Sequence, residues 1–137
     1  MKGRILGIDY GRKRIGMAAT DPLQIIVSPL ETVENDNFKA FLEDYITQEH
    51  VVKIVFGRPT HADGNLTHLW TDIQRAVKYI SEKHPRIAID YQDENFTSSD
   101  AMTIAIQGGM KKKKRRDKKN IDKISAVLIL QRYLGHI

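Results

Sequence analysis

Three strand-length apolar segments follow one another near the N-terminus with almost no chain between them: Arg4 to Asp9, Arg14 to Thr20 and Gln24 to Thr32. The connections, Tyr10 to Lys13 and Asp21 to Leu23, are four and three residues long. A crossover between parallel strands needs a dozen residues or more, so these segments are expected to pair as antiparallel neighbours. Pro22 and Pro29 limit where the third can donate to a ladder.

The apolar period then changes. Phe38, Phe41, Leu42, Tyr45 and Ile46 fall on one face of a helix starting near Asn37. Val51 to Phe56 reads as a buried strand closed by Gly57, because Arg58-Pro59 continues a strand poorly. Leu69, Trp70, Ile73, Val77 and Ile80 mark a second helix to about Lys83, and Ile87 to Tyr91 a fifth strand. Thr97 and Asp100 form a capping-box pattern opening a third helix that Gly108-Gly109 stops. Asn120 is the expected N-cap of a last helix, turning Ile121, Ile124, Val127, Leu128 and Leu134 inward. The order β-β-β-α-β-α-β-α-α predicts one α/β domain over residues 1–137, a five-stranded mixed sheet flanked by helices.

Composition narrows the chemistry. The chain has no cysteine, which excludes disulfides, thiolate zinc sites and a cysteine nucleophile. Its five histidines show no ligand spacing and are expected on loops or the surface. Residues 1–10 hold no apolar run of signal-peptide or membrane-span length, so a cytoplasmic location and no membrane association are expected. The net charge of +5 is concentrated: segment 111–119 carries eight basic residues and one acid, while the remainder carries 14 basic and 16 acidic residues. Such a block suits an anionic partner such as a nucleic-acid backbone; a solvated loop explains it equally well from charge alone.

Three carboxylates stand where the predicted fold converges. Asp9 ends a central buried strand between Gly7 and Gly11, and a carboxylate there costs several kcal/mol to bury unless paired or bound to a cation. Asp93-Glu94 follows the fifth strand, whose C-terminal end shares the sheet edge with that of the first. Asp122 lies in the first turn of the last helix, where the helix dipole alone would explain an acid. Yet Ser125 and Ala126 on the same face would let the helix press against the sheet. Oxygen ligands without cysteine or paired histidines favour Mg²⁺ or Mn²⁺, and two such ions suit hydrolysis of a phosphodiester by water. Arg12, Lys13 and Arg14 are placed to hold flanking phosphates, and Lys111, Lys112, Lys113, Lys114, Arg115 and Arg116 to follow a backbone further away. Ordinary surface charge accounts for both clusters as well.

Gly7-Ile-Asp-Tyr-Gly-Arg-Lys-Arg-Ile-Gly16, Val55-Phe-Gly-Arg-Pro59 with Asp63-Gly64, Asp93-Glu94 before Thr97-Ser98, and Asp122-Lys-Ile-Ser-Ala-Val-Leu-Ile-Leu130 resemble, in order, the motifs of the YqgF family. That family comprises bacterial proteins described as Holliday junction resolvases and implicated in maturing the precursor of 16S ribosomal RNA. The resemblance spans nearly the whole chain. It implies an RNase H-like fold and a divalent-metal nuclease site whose acidic residues fall on Asp9, Glu94 and Asp122. It also implies a nucleic-acid partner, either ribosomal RNA precursor or branched DNA, and a protein acting as monomer or homodimer. The chain departs from the family pattern twice: Asn95 stands where Asp-Glu is usually followed by arginine, and Arg58 where an apolar residue is usual. Arg58 is therefore a candidate to replace the lost phosphate contact. A non-catalytic RNA-binding assembly factor with the same fold is the alternative that Asn95 favours.

Overall fold

The structure, a computed structural model, describes residues 2–60, 67–94 and 118–137, with side chains from residue 124 onward in the last stretch. Strand β1 (Arg4–Asp9) pairs antiparallel with β2 (Arg14–Thr20), and β2 with β3 (Val27–Glu34), as the short connections dictate. After a 3-10 turn at Asn35–Asn37 and helix α1 (Phe38–Gln48), strand β4 (Val51–Pro59) adds parallel to the other side of β1. Helix α2 (Leu69–Lys83) leads to β5 (Ala88–Glu94), parallel to β4. Helix α3 (Lys118–Tyr133) closes the described chain. The sheet order is β3-β2-β1-β4-β5, so β1 is central. The helix expected between Thr97 and Gly108, and the basic residues Lys111 to Arg116, lie outside the described residues.

Two layers of core hold the sheet. On one face Leu6, Ile8, Met17, Ile54 and Phe56 meet Phe38 and Leu42 of α1 and Ile73 and Ile80 of α2. On the other, Ile5, Ala18 and Val55 meet Ala126, Ile129 and Leu130 of α3. Fully burying each of the large aliphatic side chains contributes about 1.5–3 kcal/mol.

Several boundaries differ from the sequence reading, and four of the differences have an identifiable physical reason. Strand β3 starts at Val27 rather than Gln24. The Asp21 carboxylate accepts hydrogen bonds from the backbone N–H groups of Leu23, Ile25 and Ile26 (3.2, 2.8 and 2.7 Å), and Gln24 takes a φ of 61°. That fixes 21–26 as a loop, as an Asx-type device does. Strand β4 runs on through Gly57, Arg58 and Pro59 instead of stopping at Phe56, because β5 offers Gln92, Asp93 and Glu94 as partners. Pairing with β1 ends at Phe56, so Pro59 needs no donor on that side. Asp93 and Glu94 consequently belong to β5 itself rather than to a loop after it. Helix α3 includes Asn120 instead of being capped by it, extended by the helix-forming residues Lys118 and Lys119.

Candidate active site at the carboxyl edge of the central strands

Alternation along the strands puts Asp9 on the α3 face. Gly7, two residues earlier, faces Leu130 and the Ala126 carbonyl: a Cβ there would stand 2.5 Å from Leu130 Cγ and 3.1 Å from Ala126 O. Asp9 is half-buried and lies opposite Gly16 of β2. Glu94, the last residue of β5, is on the same face. A Cβ on Gly57 would stand 2.5 Å from Ile129 Cδ1 and 2.9 Å from Glu94 Cδ. Gly57 thus leaves the space that Glu94 occupies, while Gly7 lets α3 lie close to β1. Gly57, expected only to end a strand, is the space in which the Glu94 side chain lies; nothing in its sequence neighbourhood separates those two roles.

The two carboxyl groups meet. Burial pushes the Glu94 carboxyl above its usual 4.5, and a hydrogen bond with Asp9 acts in the opposite sense. Two acids at such a separation cannot both remain ionised cheaply, and a shared proton or a bound cation relieves the repulsion. Among the described residues no third Asp, Glu or His joins them.

Helix α3 points its N-terminal end at this edge. Lys53, early in β4, donates to Tyr133 Oη near the end of α3 (2.9 Å), whereas Gly57, later in β4, faces Ile129, so the helix runs antiparallel to β4. From Gly7 to Asp9 the strand advances about 6–7 Å. From Ala126 back to 122 the helix advances about 6 Å. The first turns of α3, Asp122 among them, are therefore directed toward the edge at which β1 ends, while the Asp122 side chain lies outside the described residues. The close approach expected from Ser125 and Ala126 is present, with both buried.

The basic candidates divide. Arg12 and Lys13 are exposed on the hairpin that follows Asp9, with Arg12 Nε donating to Asp72 Oδ2 of α2 at 2.9 Å. Arg14 is half-buried at the start of β2, in register with Glu34. Arg58 sits on the opposite face of the sheet from the acids, donating from Nε to Asp93 Oδ1 at 2.6 Å. That ion pair also takes Asp93 away from the Asp9–Glu94 pair.

Residues 3–136 match the RuvX family, described as Holliday junction resolvase. The chain belongs to that family. Its relatives include a protein of Porphyromonas gingivalis, 45% identical over 98% of this chain and 97% of its own. Another, from Amoebophilus asiaticus, is 43% identical over 97% of this chain and 94% of its own. Both carry the name "Putative pre-16S rRNA nuclease". Among solved structures, the fowlpox virus resolvase in complex with Holliday junction DNA superposes with a TM-score of 0.63 at 10% identity, covering 97% of each chain. At that identity the likeness establishes the fold, RNase H-like as expected. Family membership places the protein among hydrolases of nucleic-acid ester bonds. Among the described residues no helix is long and apolar enough to cross a membrane.

Proposed function

We propose that this protein is a divalent-metal-dependent endonuclease that hydrolyses phosphodiester bonds in structured nucleic acid, with the precursor of 16S ribosomal RNA as its substrate. The observation that carries this reading is the contact between the half-buried Glu94 carboxyl and Asp9 at the carboxyl edge of β1 and β5. The relatives' names supply the substrate, and they match over nearly the full length of both chains. Cleavage of branched DNA is the second reading, favoured by the description of the family.

The donor set fits Mg²⁺ or Mn²⁺: two carboxylates, oxygen only, beside Gly57, with Asp122 on α3 as the third ligand. When bound, such ions activate water and neutralise charge on the phosphate under attack. Asp9 is fixed by its strand and Glu94 by the packing of Ile129 against Gly57, so both carboxylates are held before substrate arrives. Arg12 and Lys13, on the hairpin beside Asp9, hold phosphates flanking the scissile one, and Lys111 to Arg116 bind the backbone further out. Retention of both acids in a shared contact argues against a purely non-catalytic role.

The test is cleavage of labelled 16S precursor RNA and of a four-way DNA junction with Mg²⁺, Mn²⁺ or EDTA. Asp9→Asn should abolish cleavage and weaken Mn²⁺ binding measured by calorimetry. Equal cleavage by that variant would remove the assignment.

A further inference from the structure

Two side chains of the hairpin between Asp9 and Arg14 reach the helices, Tyr10 edge-on to the Phe38 ring and Arg12 to Asp72. The hairpin backbone is tied by Asn35, in the 3-10 turn that joins β3 to α1. The Asn35 side-chain amide donates from Nδ2 to the Gly11 carbonyl at 2.7 Å. The Asn35 backbone N–H donates to the Lys13 carbonyl at 2.8 Å. One residue thus binds the chain on both sides of Arg12, across 24 positions of sequence. Gly11 itself is pressed against the Arg14 carbonyl so closely that no side chain fits there. Arg12, Lys13, Arg14, Glu34, Asn35 and Asp36 together line a groove of about 280 Å³.

We infer that Asn35 is a positioning residue for nucleic-acid binding: by tying the Gly11 and Lys13 carbonyls it holds Arg12 and Lys13 where they meet substrate phosphates. This rests on the proposed nuclease reading and adds to it a residue with no charge and no place among the acids. The physical basis is entropic. Two long cationic side chains on an untethered turn lose freedom on binding, whereas on a tethered turn the backbone part of that loss is already met during folding. The side-chain amide is the part that can be removed, since the Asn35 backbone donor survives any substitution but proline.

The experiment measures binding of a labelled four-way DNA junction and an RNA stem-loop in EDTA, so that cleavage plays no part, as a function of salt. The wild-type protein should bind with affinity falling steeply as salt rises. Asn35→Ala should bind about 3- to 10-fold more weakly, with a salt slope shallower by about one. In a Lys13→Ala background, Asn35→Ala should add less loss than it causes alone, because one of the two contacts it positions is gone. With metal present, KM should rise more than kcat falls. A role confined to stability would lower the melting temperature and leave the slope and the coupling to Lys13 unchanged, and that result overturns the inference. Should Asn35→Ala not fold, Asn35→Asp keeps the shape, loses the donor and must show the same coupling. If the wild-type protein binds neither nucleic acid, the proposed function fails; if it binds and cleaves while the Asn35 variants match it, only this inference fails.

Discussion

Gly57 and Glu94 lie on adjacent strands so that a methyl group on the glycine would stand 2.9 Å from the glutamate Cδ and 3.0 Å from its Cγ. The same methyl would stand 2.5 Å from Ile129 Cδ1. Gly57→Ala must therefore move both the Ile129 side-chain end and the Glu94 carboxylate. We expect a loss of about 1–3 kcal/mol from overpacking, together with reduced cleavage. Gly7→Ala provides the control: it meets Leu130 Cγ at 2.5 Å and the Ala126 carbonyl at 3.1 Å, but neither acid. Urea unfolding and cleavage rates measured on both variants should show a similar stability loss with the larger activity loss at Gly57. Wild-type cleavage by Gly57→Ala would show that the acid does not need that space.

The Asp9–Glu94 contact gives the metal-free protein a distinctive pH dependence. Burial raises the Glu94 carboxyl above 4.5, so the folded state holds this proton more tightly than the unfolded chain does. The associated stability is fully present below 4.5 and is lost as pH rises through the raised value. Melting temperature in EDTA should therefore increase as pH is lowered from neutral toward about 5. Glu94→Gln should flatten that rise and match or exceed wild-type stability at neutral pH, at the expense of activity. A Glu94→Gln protein with an unchanged pH profile above 4.5 would be incompatible with this origin.

How much of this was legible in advance differs by element. The antiparallel β1–β2–β3 unit follows from connections too short for anything else, and β1 becomes central because β4 adds to its free side. Asp9 could therefore be found from sequence alone. Glu94 was expected just beyond a fifth strand ending at Tyr91; the pairing of Pro59 with Glu94 that extends β5 is a property of β4 and β5 together and has no local signature. Of the residues expected inward on α3, Leu128 is buried and Ile124, Val127 and Leu134 pack against the same core, but the most buried positions beside them were not singled out. The stretch from Ile124 to Leu130 is apolar nearly all round, so periodicity does not choose a face, and Ile129 and Leu130 are buried alongside Leu128. What chooses is the glycines at 7 and 57, on strands far away in sequence. Arg58 looked available for phosphate, and only the register that sets it opposite Asp93 shows its partner.

Thr20 closes the β1–β2 ladder with its side chain instead of its backbone. Its buried hydroxyl accepts from the Ile5 N–H at 2.9 Å and donates to the Asp21 carbonyl at 2.9 Å. Thr20→Val keeps the shape and leaves the Ile5 N–H without a partner in the core. The expected loss is about 1–3 kcal/mol. Thr20→Ser, which keeps the hydroxyl, should recover the larger part. Chemical denaturation of the two variants distinguishes this from simple packing, for which serine would be the worse substitution.

On the far side of the sheet, Glu43 of α1 is tied to α2 and the residue that follows it. It accepts from Tyr79 Oη at 3.0 Å and contacts His84 Nε2 at 2.9 and 3.0 Å through its two oxygens. Burial pushes the Glu43 carboxyl up, but the hydrogen bonds with His84 and Tyr79, aided by the charges of His84 and Lys83, outweigh it and hold the carboxyl below 4.5. The sign is then opposite to that of Glu94. The contribution is present above 4.5 and is lost as pH falls through the depressed folded value. Urea midpoints between about pH 5 and about 3 should fall more steeply for the wild-type protein than for Glu43→Gln. Because Glu94 acts above 4.5 and Glu43 below it, Glu94→Gln should leave this acid limb unchanged, and the two variants together separate the two windows in one titration series.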